Sequence, residues 1–173
     1  MHDRALCFIA RELAAVGRGS RVLEIGAYNV NGSAREASPP GVTWVGLDLR
    51  PGPGVDIVAD ACGYDGGGQY DVVVCAETME HCADHAGIIE SAWRALRPGG
   101  LLIVTAANPL RQPHNDDGGP LGIGDTWNPV GGSELEALLC DWRDVCVTVV
   151  GDDTYAVARR PVPVYRDATS GIA

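Results

Sequence analysis

The sequence predicts an α/β fold in which a mostly parallel sheet carries helices on both faces and ends in an antiparallel hairpin. Two observations lead to this prediction. Short apolar runs alternate with helical patterns along most of the chain, which is typical of parallel strands joined by right-handed crossovers. The last two apolar runs are separated only by the turn-forming residues Gly151-Asp152-Asp153, which indicates a hairpin.

The first part of the chain contains one helix and three strands. Apolar residues recur at helical spacing between Leu6 and Val16, which predicts an amphipathic helix that ends at Gly17. The strands that follow are RVLEI (21–25), TWVGLDL (43–49) and DIVAD (56–60). A turn, RPGPG, lies before the third strand, because Pro fixes φ and Gly permits positive φ.

The second part contains the remaining strands and two helices. The run YDVVVCA (70–76) is apolar almost throughout, as a strand buried on both faces should be. Asp84 is a candidate cap for a helix that reaches Leu96 and is stopped by Pro98-Gly99-Gly100, and the strand LLIVTAA (101–107) follows.

A polar loop, 108–132, precedes the last helix. Ser133 and Glu136 have the spacing of a capping box for that helix, which we expect to carry Trp142. The hairpin strands are DVCVTVV (144–150) and TYAVARR (154–160), and the tail after Pro161 is expected to be extended and exposed.

Length and composition favour a single domain spanning 1–173. The content of hydrophobic residues is 46%, and the net charge of -10 makes a nucleic acid or an anionic membrane an unfavourable partner, because affinity for phosphates comes from Lys and Arg. No apolar run approaches the roughly 20 residues of a membrane span. The N-terminus has no signal-peptide pattern, and the six cysteines include no C-x-x-C pair. We therefore expect a reduced, cytoplasmic protein.

Each of the first four strands ends at or next to an acidic residue, namely Glu24, Asp48, Asp60 and Glu77. Ligands of open parallel sheets bind beyond the carboxyl ends of the strands. Any one of these acids alone could be a solvated loop residue or a helix cap, but four at equivalent positions indicate a binding site.

The stretch VLEIGAYNVNGSAR, 22–35, begins like a nucleotide-binding strand and turn but lacks G-x-G-x-x-G. Tyr28 and Val30 stand where a glycine-rich loop would have glycine. A pyrophosphate needs close backbone approach along a tight glycine turn, so the loop argues against a nicotinamide-dependent dehydrogenase. We expect Asn29 and Asn31 to take left-handed conformations in place of glycine.

Five motifs in order resemble those of class I S-adenosylmethionine-dependent methyltransferases, which have a Rossmann-like fold. They are VLEIG, VGLDLRPG, DIVADA, YDVVVCAETMEH and ALRPGGLLIVTA, and they run from about Arg21 to Ala107. The pieces VNGS, RPGPGVDIVADA and HNDDGGP also resemble compact methyltransferase-type proteins of actinobacteria and their phages. The resemblance implies S-adenosylmethionine as cofactor and methyl transfer to an oxygen or nitrogen atom of a small-molecule acceptor.

The resemblance also implies residue roles. Asp48, beside Leu49, would accept hydrogen bonds from the ribose hydroxyls, and Asp60, beside Ala61, one from the adenine amino group. Glu24 would lie near the aminopropyl end of the cofactor. The remaining cofactor-binding candidates are in the loop after the first strand and at the end of the fourth strand: Gly26, Ala27, Tyr28, Ala76 and Glu77.

His114, in the long loop 108–132, is the candidate general base, and Asp117 or Asp116 would orient its ring. The alternative is a solvated loop histidine. Trp127 either walls the substrate pocket or pins the loop. His2 and His85 are expected to be surface residues.

The piece E-x-x-E-H at 77–81, with Asp84 nearby, occurs widely in this superfamily. Residues at these positions contact a divalent metal in some quinone-biosynthesis O-methyltransferases. The alternative is that Glu80 and His81 only shape the loop before the helix, and we assign no metal. Two further hypotheses stay open for the whole chain. It could be a non-catalytic cofactor-binding module or inactive partner subunit, or a methyltransferase acting on a peptide or nucleic acid.

Overall fold

The computed structural model describes residues 2–163, which form three helices, seven strands and three short 3₁₀ turns. The strands are β1 (Arg21–Ile25), β2 (Thr43–Asp48), β3 (Ile57–Val58), β4 (Tyr70–Ala76), β5 (Leu96–Ala107), β6 (Arg143–Val150) and β7 (Asp153–Arg159). The helices are α1 (Asp3–Leu13), α2 (His85–Ala95) and α3 (Gly132–Leu138), and the 3₁₀ turns span Ala34–Ala37, Ala61–Gly63 and Met79–His81.

All seven strands belong to one sheet in the order β3-β2-β1-β4-β5-β7-β6. Strands β1 to β5 pair in parallel, whereas β7 is antiparallel to both β5 and β6. This confirms the predicted mostly parallel α/β sheet with a C-terminal hairpin. The strand order reverses between β1 and β4, and the crevice outside the carboxyl ends of these two strands is where such sheets bind ligands.

Alternate residues of the central strands pack against opposite layers, as the two-residue period of a strand requires. Val22 and Val72 pack with Ile9 of α1 on one face. Leu23 and Val73 belong to the larger core on the other face, which includes the buried residues of α2 and α3. Helices therefore cover both faces, as predicted. A fully buried leucine or isoleucine in such a core contributes about 1.5–3 kcal/mol.

Strand β5 is longer than the sequence predicted, and the prediction that the helix reaches Leu96 is wrong. Leu96 already pairs with Tyr70, and a register shift between Tyr70 and Val72 accommodates the Pro-Gly-Gly segment inside the strand. Gly99 has a φ of 80° in this bulge. Conversely, β3 is shorter than predicted, because Asp60 leaves the strand to cap the turn Ala61–Gly63.

The predicted capping box at Ser133 and Glu136 is wrong. Gly131 is the N-cap of α3 and Ser133 lies inside the helix, which ends at Leu138, before Trp142. A capping box forms instead around the turn Ala34–Ala37. There the Ser33 hydroxyl accepts from the Arg35 amide at 3.2 Å, and the Ser33 amide donates to Glu36 at 3.2 Å.

Most of the tail predicted to be extended, residues 164–173, lies outside the described residues. Within residues 2–163, no helix has the length and apolar character needed to cross a membrane.

Candidate active site

The carboxyl ends of β1 to β4 open onto two adjoining cavities. The larger cavity, of about 480 Å³, lies along β2 and β3, and the smaller one, of about 260 Å³, lies beside the loop after β1. Of the predicted cofactor residues, the larger cavity is lined by Gly26, Tyr28, Asp48, Leu49, Asp60, Ala61 and Glu77. The smaller cavity is lined by Glu24, Gly26, Ala27, Tyr28, Ala76 and Glu77, together with the candidate base His114. The structure thus brings the predicted cofactor residues to one continuous site.

The loop after β1 uses its own amides internally. The amides of Gly26 and Ala27 both donate to the Leu47 carbonyl, at 2.9 and 3.1 Å. The Tyr28 amide donates to Asp48 at 3.0 Å, and the Asn29 amide donates to the Pro53 carbonyl at 2.9 Å. Amides engaged in this way are not available to a phosphate, which is bound by free backbone N–H groups.

Glycines supply the left-handed conformations of this loop. Gly26 has a φ of 77°, and a Cβ there would lie 2.0 Å from the Thr78 hydroxyl oxygen. The expectation that Asn29 and Asn31 are left-handed is wrong, because the non-glycine residues with positive φ in the described part of the chain are Glu77 and Asp144. The Asn29 side chain instead accepts from the Gly32 amide at 3.0 Å, which closes the loop without a φ change at the asparagine.

Asp48 joins the ends of β1 and β2. One carboxylate oxygen accepts from Tyr28 and the other accepts from the Arg50 amide at 3.1 Å. The Arg50 guanidinium lies 4.6 Å from the centre of the Tyr28 ring. Each oxygen of Asp48 keeps acceptor capacity, because a carboxylate offers about four lone-pair sites.

Asp60 and Glu24 have local partners as well. One oxygen of Asp60 accepts from the Cys62 amide at 2.9 Å. Glu24 is buried and accepts from the Ser33 hydroxyl, the Ala34 amide and the Arg35 guanidinium at 3.0–3.2 Å. Burial raises the pKa of Glu24, and the Ala34 amide and the Arg35 charge oppose that rise. Glu24 therefore lines the smaller cavity while its carboxylate holds the turn that follows the loop.

Arg111 organises a group of charges at the end of β4, here called the arginine cluster: His2, Glu77, Glu80, Arg111 and Asp153. The guanidinium donates to Glu77 at 2.6 Å, lies 3.0 Å from His2 Nε2 and forms an ion pair with Asp153. Glu77 has a φ of 51°, a conformation that non-glycine residues adopt only when their surroundings hold them. Burial raises the pKa of Glu77, but hydrogen bonds from His2 and Arg111 outweigh it and lower the pKa to about 2.

Glu80 is fully buried at the back of the same cluster. One oxygen accepts from the Ala107 amide at 3.1 Å, and the other has no hydrogen-bond partner within residues 2–163. Burial, together with the nearby charge of Glu77, raises the pKa of Glu80 to about 7.

Within residues 2–163, the E-x-x-E-H residues do not form a set of metal ligands. Glu80 faces inward to Ala107, and Asp84 caps α2 by accepting from the Gly87 amide at 2.8 Å. A different set, His2, Glu77 and Asp153, has ligand atoms within 4.8 Å of one another and has the chemistry to hold a metal. The Arg111 guanidinium already lies among these residues, where it pairs with the carboxylates of Glu77 and Asp153 and lies 3.0 Å from His2 Nε2.

Three rings pack against one another, His81, His114 and Trp127, and the two histidines line the smaller cavity. The His114 ring lies 4.6 Å from Trp127 and 5.4 Å from His81, centre to centre. His114 Nδ1 faces the Gln112 carbonyl at 3.1 Å. Because a carbonyl only accepts, Nδ1 carries the proton and Nε2 keeps the lone pair of a base. Burial, and then the charge of His114, lower the pKa of His81.

The orienting contact expected from Asp117 is replaced by the Gln112 carbonyl. Asp117 is exposed, and its carboxylate lies 3.9 Å from the Arg50 guanidinium. Asp116 forms the closer pair with Arg50, at 2.8 Å, and this ion pair joins the long loop to the turn after β2. Arg50 and Asp116 both line the larger cavity, so the long loop reaches across it.

Sequence reasoning missed two site residues, His2 and Arg111, and misplaced a third residue, His85, which lies in the protein interior. His2 is only half-exposed and contacts Glu77 at 3.4 Å. His85 is buried, with its ring nitrogens 2.7 Å from Glu134 and 3.0 Å from the carbonyls of Met79 and Asn128. The prediction that both histidines are surface residues is thus wrong for His85 and incomplete for His2. No sequence pattern marked Arg111 as a site residue, because it is one cation in a long polar loop.

The fold and the site define an α/β protein with an acid-lined cavity at the carboxyl edge of its sheet. The sequence profile of a methyltransferase domain family matches residues 1–144. The chain belongs to this family of methyltransferase domains.

A curated relative is the ubiquinone biosynthesis O-methyltransferase of Pseudomonas entomophila, 31% identical over an alignment of 107 residues that covers 52% of this chain and 45% of that protein. The chain thus spans about half the length of the curated relatives it matches.

Two solved structures share the fold. Phosphoethanolamine N-methyltransferase 2 of Haemonchus contortus, in complex with phosphomonomethylethanolamine and S-adenosylhomocysteine, has a TM-score of 0.70 and 16% identity, covering 92% of this chain and 53% of that one. The [4+2]-cyclase SpnF has a TM-score of 0.66 and 15% identity, and the match covers 93% of this chain and 81% of that one. At these identities the likeness concerns the fold alone.

Proposed function

We propose that this chain binds S-adenosylmethionine and transfers its methyl group to an oxygen or nitrogen atom of a small-molecule acceptor. The observation that carries the proposal is the cavity at the carboxyl edge, where Asp48, Asp60 and Glu77 stand at successive strand ends. Membership of the methyltransferase family supports it.

The residues present fit this cofactor. Its adenosine offers two ribose hydroxyls and an amino group as donors, and the larger cavity is lined by the acids Asp48 and Asp60 to accept them. The cofactor has no phosphate. Amides of the loop after β1 already donate hydrogen bonds to Leu47, Asp48 and Pro53, so these donors are not free to bind a phosphate. The smaller cavity, between Glu24 and Glu77, suits the positively charged methionine end.

The bound cofactor would supply a methyl group that is already activated on a sulfonium. The protein therefore contributes mainly positioning and exclusion of water. His114 is the proposed base: its Nε2 would take the proton from the acceptor's hydroxyl or ammonium group. His81 and Trp127 hold the His114 ring by packing, and the Gln112 carbonyl holds its tautomer.

We further propose that the acceptor is small and that the protein works in the cytoplasm. The net charge of -10 opposes binding to nucleic acid. All six cysteines are free thiols, as the reducing cytoplasm favours.

The proposal is tested by following S-adenosylhomocysteine formation over a panel of phenols, catechols, alcohols and amines. Turnover with any acceptor, abolished by omitting that acceptor, supports it. Thermal shifts with S-adenosylhomocysteine and with NAD provide the second arm, and stabilisation by NAD alone would contradict it. Cofactor binding without turnover on the panel would favour the alternative of a non-catalytic module.

A further inference from the structure

Two thiols meet in the wall of the larger cavity. Cys62 Sγ and Cys82 Sγ lie 3.7 Å apart, although the residues are 20 positions apart in the sequence. Cys62 belongs to the turn Ala61–Gly63, and Cys82 follows the turn Met79–His81. Both sulfurs also approach the Asp84 carbonyl, at 3.6 and 3.5 Å, so the two S–H groups converge on one acceptor.

We propose that Cys62 and Cys82 are a redox modification site, which peroxide converts into a reversible disulfide. A disulfide has an S–S distance of about 2.05 Å, so the sulfurs must approach by a little under 2 Å. Cys62 lies on a short turn and Cys82 directly after one, so neither is in a strand and this movement leaves the hydrogen bonds of the sheet in place.

The surroundings assign different roles to the two sulfurs. The Asp84 amide donates to Cys82 Sγ at 3.4 Å, so a hydrogen-bond donor is directed at this sulfur. Burial, and next the adjoining Cys82 thiol, raise the pKa of Cys62 to about 12, so Cys62 keeps its proton at neutral pH. Cys82 is therefore the attacking sulfur and Cys62 the resolving one.

Hydrogen peroxide is the oxidant. The Cys82 thiolate attacks one peroxide oxygen, an S–O bond forms, the O–O bond breaks, and the leaving hydroxide takes a proton to become water. Cys62 then gives up its proton and attacks the Cys82 sulfur; the S–S bond forms, the S–O bond breaks, and the second oxygen leaves as water. The two thiols are oxidised by two electrons and the peroxide is reduced to two waters.

The consequence for ligand binding rests on the proposed function. Cys62 is two residues from Asp60, the proposed adenine acceptor, and both sulfurs line the same cavity. Linking them draws its two walls together where adenine is proposed to bind. We expect the oxidised protein to bind S-adenosylhomocysteine at least about tenfold more weakly, and the bound ligand to slow oxidation.

The experiment uses the full chain with the exposed cysteines replaced, Cys7→Ser, Cys140→Ser and Cys146→Ser, so that Cys62, Cys75 and Cys82 remain. After peroxide treatment, we expect a mass loss of about 2 Da, a linked Cys62–Cys82 peptide, and recovery of both thiols with dithiothreitol. Cys75 is fully buried and serves as the internal control, because it should stay a free thiol.

Adding Cys62→Ser to this background should remove the linked peptide and leave Cys82 as the sulfenic or sulfinic acid. The proposal is overturned if both thiols stay free, if Cys82 is oxidised without a linked peptide in the parent, or if the disulfide forms with no change in ligand affinity. Failure of the reduced protein to bind S-adenosylhomocysteine would instead contradict the proposed function, since peptide mapping reports the disulfide separately.

Discussion

Asp48 is the single residue on which the proposed ligand depends most. Its oxygens each accept one backbone N–H, from Tyr28 and Arg50, and have capacity left for hydroxyl groups in the larger cavity. Asp48→Asn removes the charge and turns one acceptor into a donor. Because hydrogen bonds to charged groups are worth about 1.5–3 kcal/mol, we expect affinity for S-adenosylhomocysteine to fall by roughly ten- to a hundredfold.

Asp56→Asn is the matched control for this change. Asp56 also accepts a backbone N–H, from Gly46 at 2.7 Å, and pairs with Arg35, but it is absent from the lining of the larger cavity in the described part of the chain. We expect Asp56→Asn to lower stability while changing ligand affinity by less than about twofold. Equal losses of affinity in the two variants, measured by calorimetry, would show that Asp48 acts through loop stability alone.

His114 is the residue that we expect to contribute to turnover and not to cofactor affinity. Replacing it by Ala should lower kcat by on the order of a hundredfold and leave the affinity for S-adenosylhomocysteine nearly unchanged, as removal of a general base does. Steady-state kinetics of the parent and the variant, beside calorimetric titration of each with S-adenosylhomocysteine, check this prediction.

Asp117→Asn is the companion variant of His114→Ala. Because the His114 ring is held by the Gln112 carbonyl and Asp117 is exposed, we expect its turnover to stay within about twofold of the parent. A loss as large as that of His114→Ala would restore Asp117 as an orienting acid.

Single residues were predictable from sequence where a local pattern marked them. Asp48, Asp60 and Glu77 each follow an apolar run, and the edge of a parallel sheet then brings them together. Arg111 had no such mark, because its partners Glu77 and His2 are 34 and 109 residues away. The tautomer of His114 depends on a backbone carbonyl, which no residue type reveals.

The element with the most control over access is the long loop 108–132. The Arg50–Asp116 ion pair, at 2.8 Å, joins it to the turn after β2 across the larger cavity. Both side chains are about half-exposed, so the pair itself is worth less than about 1 kcal/mol. Asp116→Asn should weaken S-adenosylhomocysteine binding by only a few-fold, mainly through faster dissociation.

The effect of Asp116→Asn should shrink as salt is raised, since screening already weakens an exposed pair. Stopped-flow measurement of ligand release at low and high ionic strength checks this. A salt-independent loss would mean that Asp116 contacts the ligand directly rather than holding the loop.

Elements were predicted well where apolar periodicity was strong. They were predicted poorly where turn-forming residues are compatible with more than one local structure. The Pro-Gly-Gly pattern predicts a helix stop, but the segment lies within the bulged first part of β5. Ser133 and Glu136 have capping-box spacing, yet the box forms at Ser33 and Glu36, where the chain has a free turn to cap. Spacing alone does not say where a helix begins.

At the scale of the whole molecule, Glu80 makes stability depend on pH. Its folded pKa of about 7 is above the ordinary value of 4.5, so its favourable contribution is complete below about pH 4.5 and is lost as the pH rises to about 7. Glu77 acts in the opposite direction at lower pH: its folded pKa of about 2 makes stability fall as the pH drops below about 4.5.

Glu80→Gln separates these two contributions. The variant keeps an acceptor for the Ala107 amide but has no charge to bury. We expect the melting temperature of the parent to fall by several degrees between pH 5 and about pH 7.5, and that of Glu80→Gln to fall less. Parallel melting curves across this range would contradict the assignment of a buried, titrating carboxyl group at this position.

The central claim, that the carboxyl edge of this sheet binds S-adenosylmethionine, is tested most directly by isothermal titration calorimetry of the purified chain with S-adenosylhomocysteine. We predict saturable binding of one ligand per chain with a Kd well below about 1 mM. No heat of binding at millimolar ligand, from a protein whose melting curve shows it to be folded, would contradict the claim.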